Sequence, residues 1–287
     1  MNHFSIAGLQ LELANEDSLA LIAKYIASTK KRYPWLDMIV LSELASFGID
    51  KKYAEPLPSK TEDFYCQLAK EHDIWLIPGS LFERDGEHIY NTTSIINNKG
   101  EVVDRYRKIF PFYPYEQGVE CGSDYVVFDV PQGRIGIAIC YDLWFPEVAR
   151  ALTCLGAEMI IYPTLTGTID RPQELILAQA TAIQNQCYVL AVNAAGSLGN
   201  GQSIAVGPQG DVLYQAGSDT EVLPIEVDFS VVRRNRERGL LMLGQPLKSF
   251  RDNKVAVGKY SEIINKNNEL NSLGELKIPA SDTKNLQ

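Results

Sequence analysis

The sequence predicts an α/β protein built as a mixed sheet, or a pair of sheets, carrying outer helices. Short apolar runs rich in Val, Ile and Leu recur along the chain, too short for long helices and suited to a sheet interior. Amphipathic stretches at helical spacing alternate with them. Three pairs of runs flank tight reversals rich in Gly, Pro and Asn, which adds antiparallel hairpins to the crossovers.

In chain order, residues 3–10 read as a buried strand, and Leu19, Ile22, Tyr25 and Ile26 recur at helical spacing between Ser18 and Lys31. LDMIVLS at 36–42 is strand-like and ends in Glu43 and the loop LASFGID. A helix over about 61–71 leads into the apolar run IWLIPGSLF, read as one strand. NTTSIIN and EVVDRYR flank Asn97-Asn98-Lys99-Gly100, and YVVFDV and RIGIAIC flank Pro131-Gln132-Gly133. A helix from Pro146 is expected to stop at Gly156, followed by the strand AEMIIYP. Asp170 with Gln173 resembles a capping box before a helix to Asn185, and CYVLAVN is strand again. SIAV and DVLYQ close the series around Gly207-Pro208-Gln209-Gly210.

No linker composition interrupts residues 1–260, so one domain is expected there, with the polar, aperiodic residues 261–287 as a flexible tail. The 287 residues are 45% hydrophobic and 22% charged, ordinary for a globular chain and sufficient for a large core. Lys+Arg 27 against Asp+Glu 36 gives −9 without a long basic stretch, which argues against nucleic-acid or membrane partners and for a small molecule. The opening MNHFSIAGLQLELANEDS has no basic region leading into a long apolar run, so a cytoplasmic protein is expected. Cys66, Cys121, Cys140, Cys154 and Cys187 are odd in number and show no CxxC, which disfavours a disulfide framework or a zinc ribbon.

Several residues can carry chemistry, each with a plainer alternative. Cys140 ends an apolar strand just before a helix, where a loop gives access and backbone N–H groups can stabilise a thiolate; it reads equally as a buried strand-end cysteine. His3, His72 and His88 lie in a strand, a charged helix end and a hairpin start, and none is assignable to the thiol. A cysteine hydrolase here needs a different base. Glu43, at another strand end, qualifies if burial raises its pKa, and is otherwise simply solvated. Lys108 can stabilise a developing oxyanion if enclosed, with Arg105 and Arg107 directed elsewhere by strand alternation, or the three form a solvated basic strand end. Glu116 closes the aromatic loop IFPFYPYE. Phosphate-loop, HExxH and GxGxxG patterns are absent, which removes nucleotide-dependent and zinc-hydrolase readings.

Three separated segments narrow these alternatives. SELASFG around Glu43, DRYRKIFP around Lys108 and GIAICYDLWFPEVARALTCLGAEMIIYPT around Cys140 together resemble the nitrilase superfamily of carbon–nitrogen hydrolases, over residues 3 to about 250. YRKIFPFYPYEQG and QELILAQATAIQNQCYVLAVNAAG resemble its aliphatic amidase group most. The resemblance implies a four-layer α-β-β-α sandwich with two mixed sheets and a catalytic triad of Glu43, Lys108 and Cys140, with Glu116 as a second pocket glutamate. It also implies an oxyanion contact from the Tyr141 N–H, no metal or organic cofactor, and homodimers or larger assemblies paired through helices flanking the nucleophile.

The activity so implied is hydrolysis of a small aliphatic or neutral carboxamide to acid and ammonia through a cysteine thioester. An N-carbamoyl amine hydrolase or a nitrilase using the same triad is the alternative. Phe112, Tyr113, Tyr115, Tyr141 and Trp144 are candidate pocket walls, Thr164 a candidate substrate contact, and Arg150 a brace for Glu147 one helical turn away. Nitrilases usually follow the nucleophile with Trp-Glu, where this chain has Tyr141-Asp142. N-carbamoyl amino-acid hydrolases carry an arginine pair where this chain has Leu143-Trp144, which disfavours a carboxylate-bearing ureido substrate. The chain also lacks the long C-terminal extension of typical aliphatic amidases.

Overall fold

A computed structural model describes residues 3–113, 115–253 and 258–262. The first half supplies β1 (His3–Gln10), α1 (Leu19–Arg32), β2 (Met38–Leu41), α2 (Lys60–His72), β3 (Trp75–Ile77), β4 (Leu81–Asp85), β5 (His88–Ile96) and β6 (Val102–Arg107). The second half supplies β7 (Val126–Val130), β8 (Gly133–Ile137), α3 (Pro146–Cys154), β9 (Met159–Pro163), α4 (Arg171–Asn185) and β10 (Tyr188–Val192). It continues with β11 (Ile204–Val206), β12 (Val212–Gln215), β13 (Glu221–Asp228), α5 (Phe229–Arg238) and α6 (Pro246–Asp252).

These strands form two mixed sheets, as expected. The first runs β13-β1-β2-β3-β5-β4 with β6 paired to β5, and the second runs β12-β11-β10-β9-β8-β7. Each has three parallel strands at its centre, β1-β2-β3 and β8-β9-β10. Strand alternation builds the layers. Met38 and Val40 point inward with Phe4 and Ile6 against the second sheet, while Ile39 and Leu41 point outward under Ile22 and Ile26 of α1 and Tyr65 and Leu68 of α2. Val148 and Leu152 of α3 and Ala178 and Ala182 of α4 cover the far face of the second sheet. The sheets approach closely at Gly8, where a Cβ would sit 2.9 Å from a methyl group of Val192.

Some local expectations are corrected. IWLIPGSLF is not one strand: it breaks at Pro78-Gly79-Ser80, because Gly79 adopts φ +77° and its backbone passes so near Ser42 that a Cβ would lie 1.8 Å from the Ser42 carbonyl oxygen. Asp170 makes no side-chain cap to α4, since its backbone is already helical and its carboxylate accepts from the Thr168 hydroxyl. Arg150 does not brace Glu147; it donates to the Gln184 carbonyl (2.9 Å) and lies over the Phe250 ring, while Glu147 accepts from the Tyr260 hydroxyl. The strand β13 and helices α5 and α6 extend beyond the elements read from sequence. Apart from Ser261 and Glu262, the expected tail lies outside the described residues.

Candidate active site

The carboxyl ends of β2 and β9 meet across the sandwich, where the Glu43 N–H donates to the Thr164 carbonyl at 3.1 Å. Glu43 and Cys140 therefore converge from opposite sheets rather than from neighbouring strands of one sheet. Beyond Glu43 the chain turns sharply at Leu44 (φ +51°), whose N–H is held by the Ser80 hydroxyl at 3.0 Å. This turn leaves the Glu43 carboxylate buried at the end of a rigid strand.

Lys108 follows β6, and alternation decides its direction. Arg105 and Arg107 reach the other face, where they pair with Glu62 and with Glu83 and Asp85, whereas Tyr106 and Lys108 turn inward. The Lys108 ammonium, 1% exposed, donates to Glu43 Oε1 (2.7 Å) and to Glu116 Oε2 (2.6 Å). Asn91 of β5 spans the same two carboxylates through Nδ2, at 2.8 Å to Glu43 and 2.9 Å to Glu116. The Phe112 N–H adds a bond to Glu116 at 2.6 Å. An ammonium thus fills the space between two carboxylates that a cation would otherwise take. Among the described residues, no group of three His, Cys, Asp or Glu side chains is arranged to hold a metal ion.

Cys140 follows β8 as the first residue of a short 3-10 turn, Cys140–Trp144, in the left-handed conformation at φ +46°. A residue with a Cβ adopts that geometry at a cost, so the surroundings must impose it. Asp142 does so: its carboxylate accepts from the Ile139 N–H (2.9 Å), the Phe110 N–H (2.9 Å) and the Tyr106 hydroxyl (2.7 Å), tying the turn to the loop after Lys108. The thiol faces the Thr166 hydroxyl at 3.9 Å, and that hydroxyl donates to Glu174 at 3.1 Å. Glu174 is held in turn by Arg171 at 2.7 Å.

The electrostatics separate the groups. Burial outweighs Lys108 and pushes the Glu43 carboxyl above its usual range. Glu116 experiences burial too, but Lys108 and the donors from Phe112 and Asn91 hold it below that range. Two carboxylates on one ammonium are therefore driven apart, one toward accepting a proton and the other toward permanent charge. Lys108 is held well above its ordinary value, because Glu43 and Glu116 overcome its burial. Burial, reinforced by Glu43, pushes the Cys140 thiol well up, so at rest it is the neutral thiol. Such a thiol reacts only if a base takes its proton.

The groups open into a cavity of about 410 Å³ lined by Glu43, Lys108, Glu116, Cys140 and Tyr141 among others. Phe112 and Tyr115 are also on its wall, stacked at 5.1 Å, and Phe112 meets the Tyr141 ring at 4.7 Å. Three candidates are not. Tyr113 turns away to donate its hydroxyl to the Val119 carbonyl. Trp144 lies behind the wall with its indole N–H 3.4 Å from Glu174. Thr164 is fully buried and donates to the Val192 carbonyl at 3.1 Å, and Thr166, two residues on, takes the lining position. Sequence reasoning missed Asn91, Thr166, Glu174 and the bracing by Asp142. Only Asn91 left a signal, as an amide in an otherwise buried strand.

A family model described as carbon–nitrogen hydrolase matches residues 5–237. An omega-amidase, NIT3, from Saccharomyces cerevisiae is 30% identical over 260 residues, 81% of this chain and 89% of that protein. The crystal structure of S. cerevisiae Nit3, a member of branch 10 of the nitrilase superfamily, superposes with a TM-score of 0.77 over 82% of this chain and 93% of the other, at 30% identity. A human deaminated glutathione amidase is 34% identical over 204 residues, 64% of this chain and 62% of that protein.

Proposed function

The chain belongs to the carbon–nitrogen hydrolase family, and on that premise we propose that it hydrolyses a small aliphatic carboxamide to a carboxylic acid and ammonia through a thioester on Cys140. The observation that carries this reading is the pairing of a neutral buried thiol with two carboxylates of divergent proton affinity on one ammonium. Both relatives are named amidases, which supports an amide as the bond cleaved.

Glu43 takes the thiol proton as the sulfur attacks the amide carbon. The oxyanion that forms is met by the Lys108 ammonium and by the Tyr141 N–H, one of the first N–H groups of the 3-10 turn, which lack acceptors within the turn itself. The C–N bond then breaks, and Glu43 returns the proton to the departing nitrogen. Water enters, Glu43 removes its proton as the oxygen bonds to the thioester carbon, the C–S bond breaks to release the acid, and Glu43 returns the proton to the sulfur. Glu116 stays ionised and keeps Lys108 charged and in place. Incubation with short amides should release ammonia and leave a transient acyl mass on Cys140. A wild-type rate in Cys140→Ala would end this reading.

We also propose that the protein works as a homodimer or larger assembly. Support comes from an outer face running from α3 and α4 to α6, where Ile176, Ile183, Leu240, Leu241, Met242, Leu243 and Phe250 are all at least 41% exposed. Ile183, Leu240 and Leu243 line one groove, and Arg150 joins α3 to Phe250 of α6, so the face is continuous. Apolar surface of this extent is what a subunit contact covers. A monomer in sedimentation analysis would contradict it. The five unpaired thiols suit the reducing cytoplasm, where we place the enzyme.

A further inference from the structure

The amide oxygen and the travelling proton are provided for, but the hydrogens on the amide nitrogen are not. Lys108 and the Tyr141 N–H can only donate, which suits the oxygen. Glu43 reaches the departing nitrogen already carrying the thiol proton, so there it donates too. Glu116 is spent on Lys108, Asn91 and the Phe112 N–H. An acceptor for the substrate N–H must come from elsewhere on the wall.

The loop after β9 supplies one. Thr166 lines the cavity, and its backbone is clamped by the fully buried Asn193, whose Oδ1 accepts from the Thr166 N–H (2.8 Å) while its Nδ2 donates to the Thr166 carbonyl (2.9 Å). The hydroxyl hydrogen of Thr166 is committed to Glu174 Oε1 at 3.1 Å. Glu174 is fixed in turn, because Arg171 holds its Oε2 at 2.7 Å and both side chains are buried. A carboxylate accepts only, so the hydroxyl keeps its hydrogen on Glu174 and shows the cavity nothing but lone pairs. At 3.9 Å from the Cys140 sulfur, it is within hydrogen-bonding reach of a substituent on the carbon that the sulfur attacks.

From this arrangement we infer that Thr166 accepts an N–H of the scissile carboxamide, and that Glu174 is the positioning residue that keeps it an acceptor. One N–H of a primary amide is tied to Thr166, which turns the nitrogen lone pair, freed as the carbon becomes tetrahedral, toward the proton on Glu43. An ester brings only an alkoxy oxygen to the same place, where lone pairs face lone pairs. The site therefore selects the leaving group as well as the acyl chain. The inference rests on the amidase reading and deepens it.

The test pairs propanamide and butyramide with their methyl esters and follows ammonia and methanol. Amide and ester of one acid give the same thioester, so damage to the nucleophile lowers both together and the ratio of their kcat/KM values reports the leaving group. Thr166→Val should move that ratio toward the ester by about five- to tenfold, the range for one neutral hydrogen bond, and Thr166→Ser should hold it at the wild-type value. In Glu174→Gln the side-chain oxygen remains with Arg171 and the amide nitrogen donates to Thr166, which frees the hydroxyl hydrogen for the cavity, so the ratio should move the same way. A ratio unmoved in Thr166→Val, with both rates falling together, or methyl esters that neither the wild type nor the variants turn over, would overturn the inference and leave the amidase reading standing. Movement in Thr166→Val but none in Glu174→Gln would overturn the positioning role. No ammonia from either amide with folded wild type would instead remove the amidase reading, and the inference with it.

Discussion

The two sheets contribute unequal halves to the site. The first supplies Glu43, Asn91 and Lys108, joined with Glu116 by bonds of 2.6–2.9 Å, so the charged groups have little freedom. The second supplies Cys140, whose thiol faces the Thr166 hydroxyl at 3.9 Å and the Glu43 carboxylate, and whose backbone is held in a left-handed turn. Proton-handling groups are preorganised by tight bonding, while the nucleophile is positioned by its backbone and left free to form and break bonds. Mutations on the two sides should therefore fail differently.

The largest effect expected is from Lys108→Met, which should lower kcat by at least about a thousandfold, the scale for losing a principal oxyanion donor. It should also lower Tm, because Glu43 and Glu116 then face each other in a buried site with no cation. Loss of rate without loss of Tm would mean that the ammonium does not hold the charged half together. Asn91→Ala should come next, with about a tenfold fall in kcat and an upward shift of the acid limb of the pH–rate profile, because Glu116 loses a donor that holds its pKa down. Thr166→Val should cost least in activity, about two- to fivefold in kcat, since a long sulfur contact contributes little to position. If it equals Asn91→Ala, the contrast between the halves is wrong.

Asp142 gives a test in stability rather than rate. Burial lifts its carboxyl to about 6, above the ~3.9 of an unfolded chain. The folded protein therefore binds this proton more tightly, a stabilising contribution that is complete below about pH 4 and lost as pH rises through about 6. Asp142→Asn should remove that slope, worth about 3 kcal/mol across the window. It should also lower Tm at neutral pH, because an amide cannot accept from Ile139, Phe110 and Tyr106 together. An unchanged slope in denaturant unfolding between pH 4 and 6.5 would exclude the assignment.

Glu43 and Cys140 drew attention in the sequence because each stands where an apolar run gives way to a loop, and Lys108 because it precedes an aromatic loop, but only the resemblance to the nitrilase superfamily joined the three into one triad. Their meeting across two sheets could not be read that way, since it depends on how the sheets face each other. Asn91 escaped notice because it is inside a strand, and Thr166 because the loop after β9 advances the lining position two residues past Thr164. The strand β13 was hidden by Pro224, which is accommodated because β13 is at the edge of its sheet. Arg150 was assigned to Glu147 from helical spacing alone, and contacts from α4 and α6 decided otherwise.

The left-handed geometry at residue 140 bears on the choice of an inactive variant for trapping ligands. Alanine there retains the Cβ and the torsional penalty, whereas glycine adopts φ +46° freely. Cys140→Gly should therefore keep the same turn with torsional relief of about 1 kcal/mol, set against the packing lost with a side chain that belongs to the main core.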